Sequence, residues 1–145
     1  MPENKNIKNY LEMKIKTASP IQLIIMLYDK AISSLETAIN LIEKGEKKFD
    51  IINNNIIKAQ EILSELMLAL DFDKGKEIAQ NLYKLYDYSI KQCIEGNIKK
   101  DPALLKNVIK ILNQLREAWV AISNKPEIVK EQNKNNENSS FNVSL

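Results

Sequence analysis

The side chains best placed to act on another molecule in this chain are apolar, and the chemistry they offer is recognition, not bond-making. Histidine is absent, which removes the commonest general base and the commonest metal ligand. The Glu-x-x-His pairs of a di-iron bundle therefore cannot exist. Gly45, Gly75 and Gly96 are never clustered, so no glycine-rich loop cradles a phosphate. Carboxylate or lysine chemistry is conceivable, but no nucleophile motif argues for it. We accordingly assign no catalytic residue, no metal ligand and no cofactor. What stands out instead is Thr17-Ala18-Ser19-Pro20 running into Ile21-Gln22-Leu23-Ile24-Ile25-Met26-Leu27-Tyr28. Ser19 suits an N-cap, Pro20 the first helical position, and Gln22 the third, a capping box. Seven of the eight residues from Ile21 to Tyr28 are apolar. A core-facing helix needs an apolar arc of a little over ~100°, and this run goes all the way round. Such a surplus is what a helix-in-groove contact with a partner would use.

The elements that must position these residues are cleanly punctuated. A chain of 145 residues reads as one domain with a sizeable core. After Pro20 the only Gly or Pro residues are Gly45, Gly75, Gly96, Pro102 and Pro126, leaving four intervals of helical periodicity. The pattern predicts helix 1 over Pro20–Lys44 with Gly45 at its C-terminal cap, and helix 2 over about 50–70. Helix 3 follows an Asp71–Gly75 turn and ends near Gly96. Asp101 and Pro102 open helix 4, which fades near Ser123. The expected fold is all-α, an antiparallel up-and-down four-helix bundle over residues 17–123. Residues 1–16 place Ile7, Tyr10, Leu11 and Ile15 at helical spacing, a short amphipathic segment suited to act as a displaceable lid. Residues 124–145 are rich in Asn, Lys, Glu and Ser, the composition of a disordered tail.

Charge is nearly balanced, 21 basic against 19 acidic, so neither nucleic acid nor an anionic membrane is the expected partner. The longest apolar run, Leu23 to Tyr28, is far too short to insert across a membrane. The opening residues lack the apolar core of a secretory signal, and the lone Cys93 fits a reducing compartment. A cytoplasmic location is the expectation.

Helical wheels separate core from surplus. Helix 1 buries Ile24, Tyr28, Ala31, Leu35, Ile39 and Ile42, leaving Met26 on the far side with Leu23 near it. Helix 2 buries Ile52, Ile56, Ala59, Leu63, Leu66 and Leu70, leaving Ile57 and Leu68 on its polar face. Asn55 does the reverse, a polar side chain inside the apolar arc. Helix 3 is expected to bury Ile78, Leu82, Tyr86, Ile90 and Cys93, with Tyr88 among polar neighbours. Helix 4 has an apolar arc of about 200°, wider than one core face. On periodicity alone, a partner-helix surface and ordinary bundle packing account for these residues equally well.

An ordered series of motifs then carries a family resemblance. Besides the helix 1 opening it includes Tyr10, Asn55-Ile56-Ile57-Lys58-Ala59-Gln60 with Ser64-Glu65-Leu66, Asp73-Lys74-Gly75, Glu77-Ile78-Ala79 with Asn81-Leu82, Leu85-Tyr86-Asp87-Tyr88, Asn97-Ile98-Lys99 with Asp101, and Ala118-Trp119. Over roughly residues 7 to 123 the chain resembles the flagellin export chaperones (FliS). The resemblance implies a non-enzymatic chaperone whose client is the C-terminal segment of flagellin and whose second partner is the cytoplasmic domain of the flagellar export gate. With the wheel positions it points to Tyr10, Leu23, Met26, Leu27, Asn55, Ile57, Leu68, Tyr86, Tyr88 and Trp119 as client-binding residues, in a monomer or weak dimer. Departures are few: Lys30 and Lys76 stand where relatives often carry Gly, and Lys91-Gln92 stands in for a basic pair. The alternatives are a self-associating structural bundle and a regulatory adaptor of the flagellar system.

Overall fold

A computed structural model describes residues 19–125, and within them the chain forms four helices: α1 (Pro20–Glu43), α2 (Phe49–Leu68), α3 (Phe72–Lys99) and α4 (Pro102–Ser123). The amphipathic segment expected over residues 1–16 lies outside the described residues. So does the tail beyond Lys125.

The helix starts follow the sequence signals closely. Ser19 Oγ accepts from the Gln22 N–H at 3.2 Å, and Gln22 Oε1 accepts from the Ser19 N–H at 2.9 Å. Two orphan amides of the first turn are thereby satisfied reciprocally. Asp101 Oδ1 caps α4 through the Ala103 N–H at 3.0 Å, with Pro102 at the first position. The α2 start has no side-chain cap; Asp50 in its first turn offsets this by placing negative charge at the positive end of the helix dipole.

The helix ends are less regular. Gly45 closes α1 at φ 70, with the Glu46 N–H bonded to Leu41 O and the Gly45 N–H to Ile42 O, the paired contacts of a Schellman cap. Helix α3 does not end at Gly96, as the glycine suggested. It runs on to Lys99, and Lys100 turns it at φ 50, ψ 46. Gly96 serves packing instead: a Cβ there would stand 2.8 Å from Leu105 Cδ2 and 3.4 Å from Leu104 Cβ, so only glycine lets α3 and α4 approach this closely. The start of α3 also differs from expectation. Residues 72–75 make one turn under the Asp71 cap, Lys76 breaks it at φ 47, ψ −119, and the helix resumes behind it.

Each helix packs on its sequence neighbours, and α1 also meets α4, closing a ring of four. The short turns at 44–48, 69–71 and 100–101 make successive helices antiparallel. The start of α1, end of α2, start of α3 and end of α4 therefore share one end of the bundle. Ile24, Tyr28, Leu35, Ile52, Ile56, Leu63, Tyr86, Leu105, Val108 and Leu112 fill the centre. Ile78 was expected among them but is 62% exposed. The fully buried Ala79, one residue on, takes the inward position instead.

Candidate functional site

The described bundle is two-faced. On the α1–α4 side, charges stitch the seam: Arg116 pairs with Asp29 through two nitrogens, and Lys106 reaches Glu43 at 3.2 Å. Neither α1 nor α4 presents a large exposed hydrophobic side chain. On the other side, besides the α3 ion pairs Lys91–Asp87 and Lys99–Glu95, large apolar side chains stand open. Phe49, Ile51, Ile57 and Leu68 on α2, and Phe72, Ile78, Tyr83, Leu85, Tyr88, Ile94 and Ile98 on α3, are all exposed. Leu68 at 87% and Ile98 at 79% are the most extreme.

Helical spacing sorts the α3 residues onto two flanks. Tyr83, Ile90, Ile94 and Ile98 lie towards α2. That side is fixed by Lys100, whose Nζ donates to Asn53 Oδ1 on α2 at 2.5 Å and to Asn97 O and Oδ1 at 2.7 and 2.6 Å. Ile78, Leu85 and Tyr88 lie towards α4, where Asn107 Nδ2 donates to Tyr88 Oη at 3.1 Å. At the α2–α3 turn Phe72 folds back onto Tyr83, ring centroids 6.0 Å apart and edge-on. The surface between α2 and α3 is thus an apolar strip, with Leu68, Phe72 and Tyr83 at one end and Ile57, Ile94 and Ile98 towards the other.

The proposed client-binding residues fall into three groups. Ile57, Leu68 and Tyr88 are exposed and border the α3 surfaces. Leu23, Met26 and Leu27 are half-buried on α1, with Leu27 packed against the core. Asn55 is half-buried and spends its Nδ2 on Ile51 O of its own helix at 2.9 Å. Tyr86 and Trp119 face inward. Trp119 Nε1 donates to Tyr28 Oη at 3.0 Å, and the Tyr28 and Tyr86 hydroxyls meet at 2.5 Å. Burial pushes both tyrosines above their ordinary value, so this triad ties α1, α3 and α4 together as neutral groups and offers no acid or base. Tyr10 lies outside the described residues.

The sequence reading missed Phe72, Tyr83, Leu85, Ile94 and Ile98. A signal was available: Tyr83, Ile90, Ile94 and Ile98 form an i, i+7, i+11, i+15 row adjacent to the core stripe. Whether such a row is covered depends on a neighbouring helix, and among the described residues none lies there. The Cys93 thiol is buried and pushed up to about 12 by desolvation, which keeps it unreactive. Among the described residues no three His, Cys, Asp or Glu side chains are placed to hold a metal ion, and no helix is long and apolar enough to cross a membrane. What the surface can do is take up the apolar side of another peptide segment.

The model of the family described as flagellar protein FliS matches residues 3–126. The chain is 38% identical over 118 residues to the flagellar secretion chaperone FliS of Salmonella typhimurium, covering 79% of this chain and 84% of that protein. It is 31% identical over 110 residues to the protein of the same name in Bacillus subtilis, covering 76% and 80%. With that of Vibrio cholerae it shares 30% over 109 residues, covering 75% and 79%.

Proposed function

Because the chain belongs to the FliS family of flagellar proteins, we propose that it is a cytoplasmic, non-enzymatic secretion chaperone that holds the C-terminal segment of flagellin. The single observation that carries this reading is the segregation of every large exposed apolar side chain of the described bundle onto α2 and α3. An amphipathic client segment gains helix by laying its apolar side along the α2–α3 strip and the α3–α4 flank. Covering that side prevents subunits from associating before export. Ordering the client costs free energy, so affinity per unit area is lower than between two rigid partners, which suits a chaperone that must let go. In the same reading, residues 1–16 with Tyr10 form a lid over part of this surface, and the loaded complex is received by the cytoplasmic domain of the flagellar export gate.

Titration calorimetry against a peptide of the flagellin C-terminus, repeated at several temperatures, tests the proposal. One-to-one binding with a negative heat-capacity change supports it. Absence of heat together with absence of co-elution refutes it. A mass that rises with protein concentration in light scattering, unaffected by flagellin, would favour the self-associating bundle instead.

A further inference from the structure

The two ends of the α2–α3 strip differ in charge. Where α2 begins and α3 finishes, Lys100 is half-buried with its Nζ on three neutral acceptors, Asn53 Oδ1, Asn97 O and Asn97 Oδ1. No carboxylate pairs with it among the described residues. Desolvation holds this ammonium below the ordinary lysine range, so an anion beside it is stabilising. Phe49, Asn53 and Ile57 form an i, i+4, i+8 row of α2, and the Asn53–Lys100 contact fixes that row on the α3 flank. The charge therefore stands level with the apolar strip, between the exposed Phe49 and Ile57. Lys47 and Lys48, both exposed, precede Phe49 in the turn. At the other end Glu61 and Glu65 stand seven and three positions before Leu68 on the same side of α2, and Asp73 follows Phe72. These three carboxylates are exposed and form no ion pair among the described residues. Residues 44–58 with 86–101 hold seven lysines and five carboxylates, whereas residues 59–85 hold three lysines and five carboxylates, so the balance changes sign along the strip.

From this polarity, and resting on the client reading above, we infer that the strip takes its helical occupant in one direction: parallel to α3, with the client's terminal carboxylate at Lys100 and its upstream end beside Glu61, Glu65 and Asp73. A helix carries about half a negative charge at its C-terminus and half a positive charge at its N-terminus, and a segment that ends its own chain adds a full carboxylate. The dipoles of α2 and α3 run in opposite senses and offset each other, so the side chains decide. The 20 residues of α2 span about 30 Å, several times the roughly 8 Å Debye length at physiological salt. Each end of the occupant is therefore read independently. A reversed helix sets its carboxylate against Glu61 and Glu65 and its N-terminus against Lys100, unfavourable at both ends. An exposed contact of this kind changes affinity by a factor of about two to five, and the two ends together favour one direction by about tenfold. The apolar side chains supply the affinity, and the charges at the two ends set the register and sense of the bound helix.

The test compares, on the full chain at low ionic strength, calorimetric affinities of a flagellin C-terminal peptide of about 20 residues as its free acid and as its C-terminal amide. The acid should bind about two- to fivefold more tightly, and the ratio should fall to about one on Lys100→Gln and in about 0.5 M salt. Because Lys100→Gln also loosens the tie between α2 and α3, Lys47→Gln with Lys48→Gln serves as a second variant and should lower the ratio without touching that tie. A p-benzoylphenylalanine near the C-terminus of the peptide should cross-link to the Phe49, Ile94 and Ile98 end, and one near its N-terminus to the Leu68, Phe72 and Tyr83 end. Equal affinities of acid and amide, exchanged cross-links, or cross-links from both probes to both ends overturn the inference. So does a strip closed to the peptide by a second copy, seen as a mass that rises with protein concentration. A designed amphipathic helix of the same length with an uncharged polar side, as acid and amide, runs alongside. If the flagellin peptide binds in neither form while the designed helix keeps the acid preference and the cross-link order, the client reading fails and the direction stands. If neither peptide binds, both fall.

Discussion

Replacing Lys76 with glycine should stabilise the protein, although glycine usually weakens a helix. Lys76 sits at φ 47, ψ −119 inside α3, where a Cβ collides with the flanking backbone and which glycine alone enters easily. Holding a non-glycine residue in such a region costs about 1–3 kcal/mol. Glycine returns part of this, because its unfolded chain has more freedom to lose, about 0.5–1 kcal/mol. The difference leaves a net gain of about 1 kcal/mol, or a rise in Tm of roughly 3–5 °C for a chain of this size. Lys76 is exposed and its Nζ makes no hydrogen bond or ion pair among the described residues, so little else is lost. The assay is urea unfolding followed by circular dichroism and Trp119 fluorescence, with Lys76→Ala as the control that removes the charge and keeps the Cβ. Stabilisation by glycine and none by alanine is expected. If both substitutions behave alike, or glycine destabilises, the strain argument is wrong. Lys100 makes a useful contrast. It too has positive φ, yet its Nζ binds three acceptors that join α2 to the end of α3, so Lys100→Gly relieves strain only by losing that tie and should bring no gain.

Three other outcomes follow from named contacts. Tyr28→Phe leaves the Trp119 indole N–H without its acceptor in a buried site and should cost about 1–3 kcal/mol in urea unfolding. Tyr86→Phe, which leaves that acceptor in place, should cost less. The Cys93 thiol ionises near its ordinary 9.0 in the unfolded chain but is held neutral to about 12 when folded. Its contribution is therefore complete below pH 9 and falls as pH rises, at up to about 1.4 kcal/mol per pH unit; Cys93→Ala should flatten the stability curve measured between about pH 9 and 10. Ile94→Lys with Ile98→Lys places charge on the exposed strip and should change stability by less than about 0.5 kcal/mol per site. Calorimetric affinity for the flagellin peptide should drop at least tenfold, and equal binding would move the client elsewhere.

Much of the fold was legible because it is written locally. A capping box at Ser19–Gln22, an Asp101–Pro102 start and a glycine past α1 are interactions between residues a few positions apart, and short-range hydrogen bonds need no tertiary partner to form. The core stripes of α1 and α2 were readable for a similar reason: period and polarity mark the inward side. The same periodicity placed Ile57 and Leu68 outward, and they are exposed.

What periodicity could not decide was which side of a broad apolar arc another helix would cover. Leu104, Ile109, Ile111, Leu115, Val120 and Ile122 on α4 are half-buried because α1 and α3 flank it on both sides. Those on α3 are left open because, among the described residues, no further helix packs there. Gly96 read as a helix stop and is a packing glycine, since only the nearness of Leu104 and Leu105 gives it that role. Tyr86 and Trp119 both read as client-binding residues, although the wheel already puts Tyr86 in the core stripe; the tertiary fold, by bringing α1, α3 and α4 together, places both inward on the Tyr28 hydroxyl. Sequence alone therefore determined where α1 and α4 begin and which stripe α1 and α2 bury, because those depend on neighbours along the chain. Which apolar side chains remain uncovered for a partner was decided by the closing of the ring, because exposure depends on neighbours in space.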